Sequence, residues 1–299
     1  MEWDLGMDGE ITSDEYYCPG GQKIEALWSS SGIRDLSGEL YTPFMYQVSV
    51  YAPTVDPASL PIGVWELDEI SSEHTEILPG GTTTVTVSVD PAIEGAVIAM
   101  SRAWVPNTGG HVANEHDPTT GPGAGGAFED SPISTGSDGT ADVDFTASEF
   151  SGSWNLVATA CGESIQAYQI VRVPNLVALG EGANWNLYGR MDEHPDAWYG
   201  TAQAITALQN IAASYHAFYP SAPVLEYNDC SLVWGGGFDL NTTWSTPSNP
   251  GHTEHRLGLN CDVNDVPEAR EAKLFAFIQE NNGSYDDKTT HYHVTFSFP

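Results

Sequence analysis

The sequence predicts a chain of two parts: an N-terminal immunoglobulin-like β-sandwich over residues 23–176 and a C-terminal α+β domain over 177–299 built on an antiparallel sheet. Three observations predict it. Between about 24 and 174, short runs alternate apolar and polar residues, with Gly, Pro, Ser and Asp clusters between them. Beyond 173–182 the apolar period changes from two to three and four. The last segment, His291–Phe298, returns to alternation.

The elements follow in order. Residues 1–22 read as an acidic leader segment with little periodicity. Pro43–Pro53 places Phe44, Tyr46, Val48 and Val50 on one strand face, and Thr82–Val89 places Val85, Val87 and Val89 on one face with Thr on the other. The runs 96–100, 141–145, 153–160 and 167–174 are further strands. Residues 106–140, rich in Gly, Pro and Asp, read as one or two long loops. The stripe Trp198, Ala202, Ile205, Leu208, Ile211, Tyr215 and Phe218 predicts a helix ended by Pro220. Trp198, Tyr199 and Tyr215 belong to its core face. A second helix is expected from Pro267, in its first turn, with Asp265 as cap and Gly283 as the left-handed residue after its end.

Charge narrows the partners. Nine Lys+Arg against 41 Asp+Glu give a formal net charge of -32. Such a surface repels phosphates and anionic lipid, which excludes nucleic acid as a preferred partner. No window approaches the length of a membrane-spanning helix, so no membrane insertion is expected. The N-terminus lacks a basic-then-apolar signal pattern, and the chain reads as a secreted or cell-envelope protein whose leader is not part of it. Cys18, Cys161, Cys230 and Cys261 contain no CxxC pair. Cys230 with Cys261, and Cys18 with Cys161, is one of three connectivities. The Asp- and Gly-containing loops 7–15 and 130–144 do not match the twelve-residue calcium loop, so calcium is allowed but not indicated. His111 and His116, in a Gly-rich loop, read as loop residues rather than a second metal site.

The candidate chemistry lies in the last quarter. His255 and Asp262 are seven positions apart, with Gly258 between them to let the backbone turn tightly. His291 and His293 are two apart in a strand and so share a face. Three protein ligands and one open position are what an ion needs to activate water.

These residues carry a resemblance. His255–Asp262 resembles the His-x-x-Gly-x-x-x-Asp motif, and His291–His293 the closing His-x-His, of the zinc peptidases that group lysostaphin-type enzymes, D-Ala-D-Ala metallopeptidases and the hedgehog signalling domain. More locally, Asn228–Leu240 followed by Pro250–Val263 is similar to the penicillin-insensitive murein endopeptidases, over about 225–297. The resemblance implies one Zn2+ per chain on His255, Asp262 and His293. It implies His291 and His252 as site histidines, His291 acting on the water proton, and Asp229 orienting a ligand histidine. Arg190, a scarce arginine in a loop with His194, would hold a substrate carboxylate. The chain departs from the pattern at Lys288, where those endopeptidases carry a histidine. Thr290 and Lys288 stand where a Glu base would be sought, and Gly251 separates Pro250 from His252.

The expected function is a secreted zinc metallopeptidase acting on a peptide or a peptidoglycan-like cross-link. The alternative is a non-catalytic extracellular binding, adhesion or structural surface protein that retains a zinc site. In either case the β domain is expected to meet an extracellular polymer or a further copy of the chain.

Overall fold

The computed structural model of the chain describes residues 65–111, 126–189, 196–238 and 253–299. The strand expected at 43–53 and the leader segment lie outside them. The N-terminal part carries β1 (Glu66–Ser72), β2 (Glu76–Ile77), β3 (Thr82–Asp90), β4 (Val97–Val105), β5 (Ala127–Phe128), β6 (Ile133–Ser134), β7 (Thr140–Thr146), β8 (Gly152–Ala160) and β9 (Glu163–Val171). They form two sheets, ordered β1-β3-β7-β5 and β2-β9-β8-β4-β6. All pairs are antiparallel except β2 with β9.

Alternation decides which side chains meet. Val85, Val87 and Val89 of β3 and Val143 and Phe145 of β7 are buried together with Ile98 and Met100 of β4 and Trp154, Leu156 and Ala158 of β8. The intervening polar residues face outward and bond across strands, as Thr84 does to Asp144 and Thr86 to Asp142. This is a β-sandwich, with one apolar core between two sheets. The stretch 126–140 is not wholly loop, because it pairs through the two-residue strands β5 and β6.

The C-terminal part carries β10 (Val177–Ala178), β11 (Trp185–Leu187), β12 (Tyr199–Gly200), α1 (Ala202–Phe218), β13 (Leu225–Tyr227), a 3-10 turn (Thr253–His255), β14 (Asn260–Asn264), α2 (Glu268–Glu280), β15 (Gly283–Asp287) and β16 (His291–Phe296). The main sheet is ordered β11-β13-β14-β16-β15. It is antiparallel except at one edge, where β11 runs parallel to β13.

Both helices form near their expected positions. Thr201 caps α1 by accepting from the Ala204 N–H, so Trp198 precedes the helix. Trp198 is still core, and its indole donates to the Tyr227 carbonyl. In α2 the expected caps are corrected. Pro267 itself is the cap residue and no side chain caps the end, so Asp265 does not serve. Asn282 takes the left-handed conformation at φ 61°, and Gly283 is already the first residue of β15. Asn tolerates that conformation through its short polar side chain.

One face of the main sheet is apolar. Cys261 and Val263 of β14 and Tyr292, Val294 and Phe296 of β16 are buried with Ile205, Leu208 and Ile211 of α1 and Leu274 and Ile278 of α2. The opposite face of the same strands carries Asn260, Asp262, His291, His293 and Thr295. Cys230 and Cys261 are joined by a disulfide, as one expected pairing has it. Cys161 is also disulfide-bonded, and Cys18 lies outside the described residues.

Phe145 is fully buried, with its ring 5.3 Å from that of Phe128. Replacing it by Ala should cost the sandwich about 3–5 kcal/mol. The check is the urea transition of the sandwich. A loss below about 1 kcal/mol would contradict this core assignment.

Candidate metal centre

The site stands on one strand register. β14 and β16 are antiparallel, with Asp262 directly opposite His293 and Asn264 opposite His291. Directly opposed side chains on one face have Cβ atoms about 5 Å apart, and diagonal neighbours about 7–8 Å, still within reach of long side chains. Asp262 and His293 therefore meet directly, and His291 reaches Asp262 on the diagonal. The His293 Nδ1 lies 2.8 Å from Asp262 Oδ1, and His291 Nε2 lies 3.4 Å from Asp262 Oδ2.

His255 comes from the other side. It closes the 3-10 turn, and the Gly258 N–H donates to its carbonyl at 3.2 Å. Gly258 sits at φ +68°, where a Cβ would press on Leu176 and on the Gly200–Thr201 backbone. The turn is pinned to the start of α1 because the Thr201 N–H donates to the Gly258 carbonyl at 2.9 Å. This delivers His255 Nε2 to 3.4 Å from Asp262 Oδ1. The His255 and His293 rings stand edge to face, 4.9 Å apart.

His255, Asp262 and His293 form the one group of three metal-binding side chains among the described residues, with a donor atom from each within 4.8 Å of the others. Their exposures are 1%, 1% and 7%, so water competes little for their donor atoms. The spacing fits an ion. Tetrahedral ligands held at about 2.0–2.1 Å are about 3.3 Å from one another, and the Asp262 oxygen lies 2.8 and 3.4 Å from the two histidine nitrogens. A buried carboxylate between two imidazoles is a donor set able to hold a divalent cation.

The surroundings are polar and ordered. Asp262 donates its N–H to the Asp229 carbonyl, and Asn228 donates to the Asp262 carbonyl, both at 2.7 Å. Burial works to raise the Asp262 carboxyl, but hydrogen bonds from His255 and His293 and the charge of the neighbouring histidines hold it well below the usual carboxylate range. Asp229, itself 5% exposed, is pushed up to about 7, chiefly by burial, with His255 opposing and Asp262 adding to the rise. His291 keeps 26% of its side chain exposed, so it faces both the triad and solvent.

Of the other expected site residues, His252 and Arg190 lie outside the described residues, as do His116 and His194. His111 is buried in the sandwich against the rings of Trp104 and Phe150, apart from the triad. Three neighbours were not foreseen. Asn260 bonds His293 Nε2 at 2.9 Å and Thr295 at 2.8 Å. It stands two residues before Asp262, so strand alternation would have found it. Glu254 approaches His293 Nε2 at 3.5 Å. Phe238 packs its buried ring on His255 at 6.1 Å, and no local pattern marks it.

No protein-family model matches the chain, and no curated protein sequence is similar to it. Among solved structures, the Yersinia pseudotuberculosis adhesin InvE is similar at 12% identity and TM-score 0.32, over 78% of this chain and 70% of that one. The D00-D0 domain of Intimin is similar at 12% identity and TM-score 0.27, over 35% of this chain. The S-layer protein SbsC, domains 5–6, is similar at 9% identity and TM-score 0.23, over 78% of this chain and 85% of that one. The chain covers 46% of that intimin fragment. At these scores the likenesses carry no functional inference.

Two outcomes follow from the geometry. His255→Ala should abolish binding of one divalent ion per chain, read by metal analysis after dialysis. Retention of the ion would remove His255 from the ligand set. In chelator-treated protein Asp229 ionises with difficulty. Its folded pKa of about 7 stands above the ordinary 3.8, so its contribution to stability is complete below about pH 4 and is lost as pH rises through 7. Asp229→Asn should therefore gain stability relative to wild type across pH 4–7, seen as a widening difference in Tm. A difference constant over that range would contradict the assignment.

Proposed function

We propose that this protein is an extracellular zinc hydrolase of peptide bonds. The observation that carries the reading is the convergence of His255, Asp262 and His293, 38 positions apart in sequence, into one buried donor group with His291 beside it. Two imidazoles and one carboxylate leave one tetrahedral position open, the arrangement of catalytic rather than structural zinc. The disulfide chemistry of Cys230, Cys261 and Cys161 supports an oxidising, extracellular setting.

Zinc bound there supplies Lewis acidity, polarising a carbonyl and bringing the pKa of water toward about 7. The chain's own groups do the rest. Asp262 would be the carboxylate ligand between the two imidazoles, one oxygen 2.8 and 3.4 Å from their nitrogens, with its other oxygen 3.4 Å from His291. With Nδ1 turned toward Asp262, the far nitrogen Nε2 of His293 lies 3.5 Å from Glu254, a carboxylate that can accept the N–H this nitrogen carries when Nδ1 is a ligand. His291, partly exposed, accepts the proton of the attacking water and returns it to the departing amine. The closed apolar face behind β14 and β16 keeps these groups from spreading. A peptide cross-link of a cell wall fits the resemblance of the motif. The net charge of -32 opposes approach to a polyanionic wall at low salt, so peptide is the firmer part of the substrate.

One observation favours a second reading, a non-catalytic binding or surface module that keeps the ion for structure. Lys288, at the position of a histidine in the similar endopeptidases, is engaged 2.6 Å from Asp286 and offers no base.

His291→Ala separates the readings. It should leave zinc at about one per chain and lower kcat/KM on a peptide substrate by about 100-fold or more. An unchanged rate removes His291 from catalysis. Stoichiometric zinc with no hydrolysis of peptides or peptidoglycan fragments by wild type selects the non-catalytic reading.

A further inference from the structure

Among the described residues, a strap and an ion pair link the β-sandwich to the metal centre. Residues 232–238 leave the Cys230 end of the site, run to the sandwich, and return to His255. The Val173 N–H donates to the Trp234 carbonyl at 2.8 Å, and the Gly237 N–H to the Glu149 carbonyl at 2.7 Å. Phe150 and Gly236 form an antiparallel bridge. The Gly236 N–H then donates to the carbonyl of Arg256 at 2.9 Å, one residue beyond His255. The Arg256 guanidinium pairs with the Glu149 carboxylate. Phe238 ends the strap with its ring on His255, and both are buried.

The glycines show how tight this contact is. Gly235 and Gly236 have φ of +71° and +78°, which side-chain-bearing residues rarely adopt. A Cβ on Gly236 would press on the Ser151 backbone nitrogen and lie 3.0 Å from the Phe150 carbonyl carbon. A Cβ on Gly235 would meet the Arg256 carbonyl oxygen at 2.6 Å. The strap therefore fits only as bare backbone between the sandwich corner and the turn that holds His255.

We infer that the corner Ser148–Ser151 of the sandwich is a positioning element of the metal centre. It acts on His255 through the Gly235–Gly237 strap and the Glu149–Arg256 pair. Glu149 is a positioning residue and touches no ligand itself. The sandwich is thus part of the site's frame, not a module tethered to it. This rests on His255 being a ligand.

The test is zinc affinity of the full chain by competition with a chromogenic chelator. Glu149→Lys sets two cations against each other and should weaken zinc about tenfold. The double variant Glu149→Lys with Arg256→Glu restores an opposite pair and should return affinity to within about threefold of wild type. Gly236→Ala should weaken zinc about tenfold, within the range seen when groups supporting metal ligands are lost. Thr86→Ala, which removes the exposed Thr86–Asp142 hydrogen bond between β3 and β7, away from the strap, should leave affinity unchanged. Wild-type affinity in both Glu149→Lys and Gly236→Ala overturns the inference alone. Failure of the charge reversal to restore affinity removes Glu149 from the role. A wild-type chain that binds no zinc overturns the zinc reading and this inference with it.

Discussion

The antiparallel register of β14 with β16 is the constraint on which the site depends. It sets Asp262 opposite His293 and leaves His291 on the diagonal. Because alternate residues face opposite ways, the same register sends Cys261, Val263, Tyr292 and Val294 into the core under α1 and α2. A slip of one residue would bury the carboxylate and histidines among apolar side chains and expose the core. Burial of one face thus enforces the chemistry of the other.

The cost of this arrangement is a buried carboxylate. Asp262 is 1% exposed, and isolated buried charge is expensive unless it is paired and hydrogen-bonded. Here two imidazoles converge on one oxygen and a third reaches the other. A cation held by the same atoms would complete the compensation. The backbone around it is held on three sides. The Cys230–Cys261 disulfide adjoins Asp262, the Asp229 carbonyl takes its N–H, and the Gly258 turn is tied to α1. The geometry of the triad is thus set by groups outside it, which is how candidate metal-binding side chains are held in place.

Much of this was legible from local pattern. Strict alternation of Val with Thr marked β3, and three- and four-residue spacing marked α1, because period alone tells strand from helix. The grouping of His255, Asp262, His291 and His293 could be read because their spacing around Gly258 and along one strand is a local pattern. Other features could not. The N-terminal Pro267 of α2 and the left-handed Asn282 displaced the expected Asp265 and Gly283, since β15 begins immediately after the helix and claims the glycine. The parallel edge β11, the Phe238 contact and the Glu149–Arg256 pair join residues far apart in the chain. No local periodicity encodes such pairings, and only the assembled fold displays them.

The most direct measurement is anomalous diffraction at the zinc edge from crystals of the full chain grown with zinc. The account predicts one strong peak per chain, about 2.0–2.2 Å from a nitrogen of His255, a nitrogen of His293 and a carboxylate oxygen of Asp262. A zinc peak held by other residues, or none at the triad in zinc-saturated crystals, would contradict it.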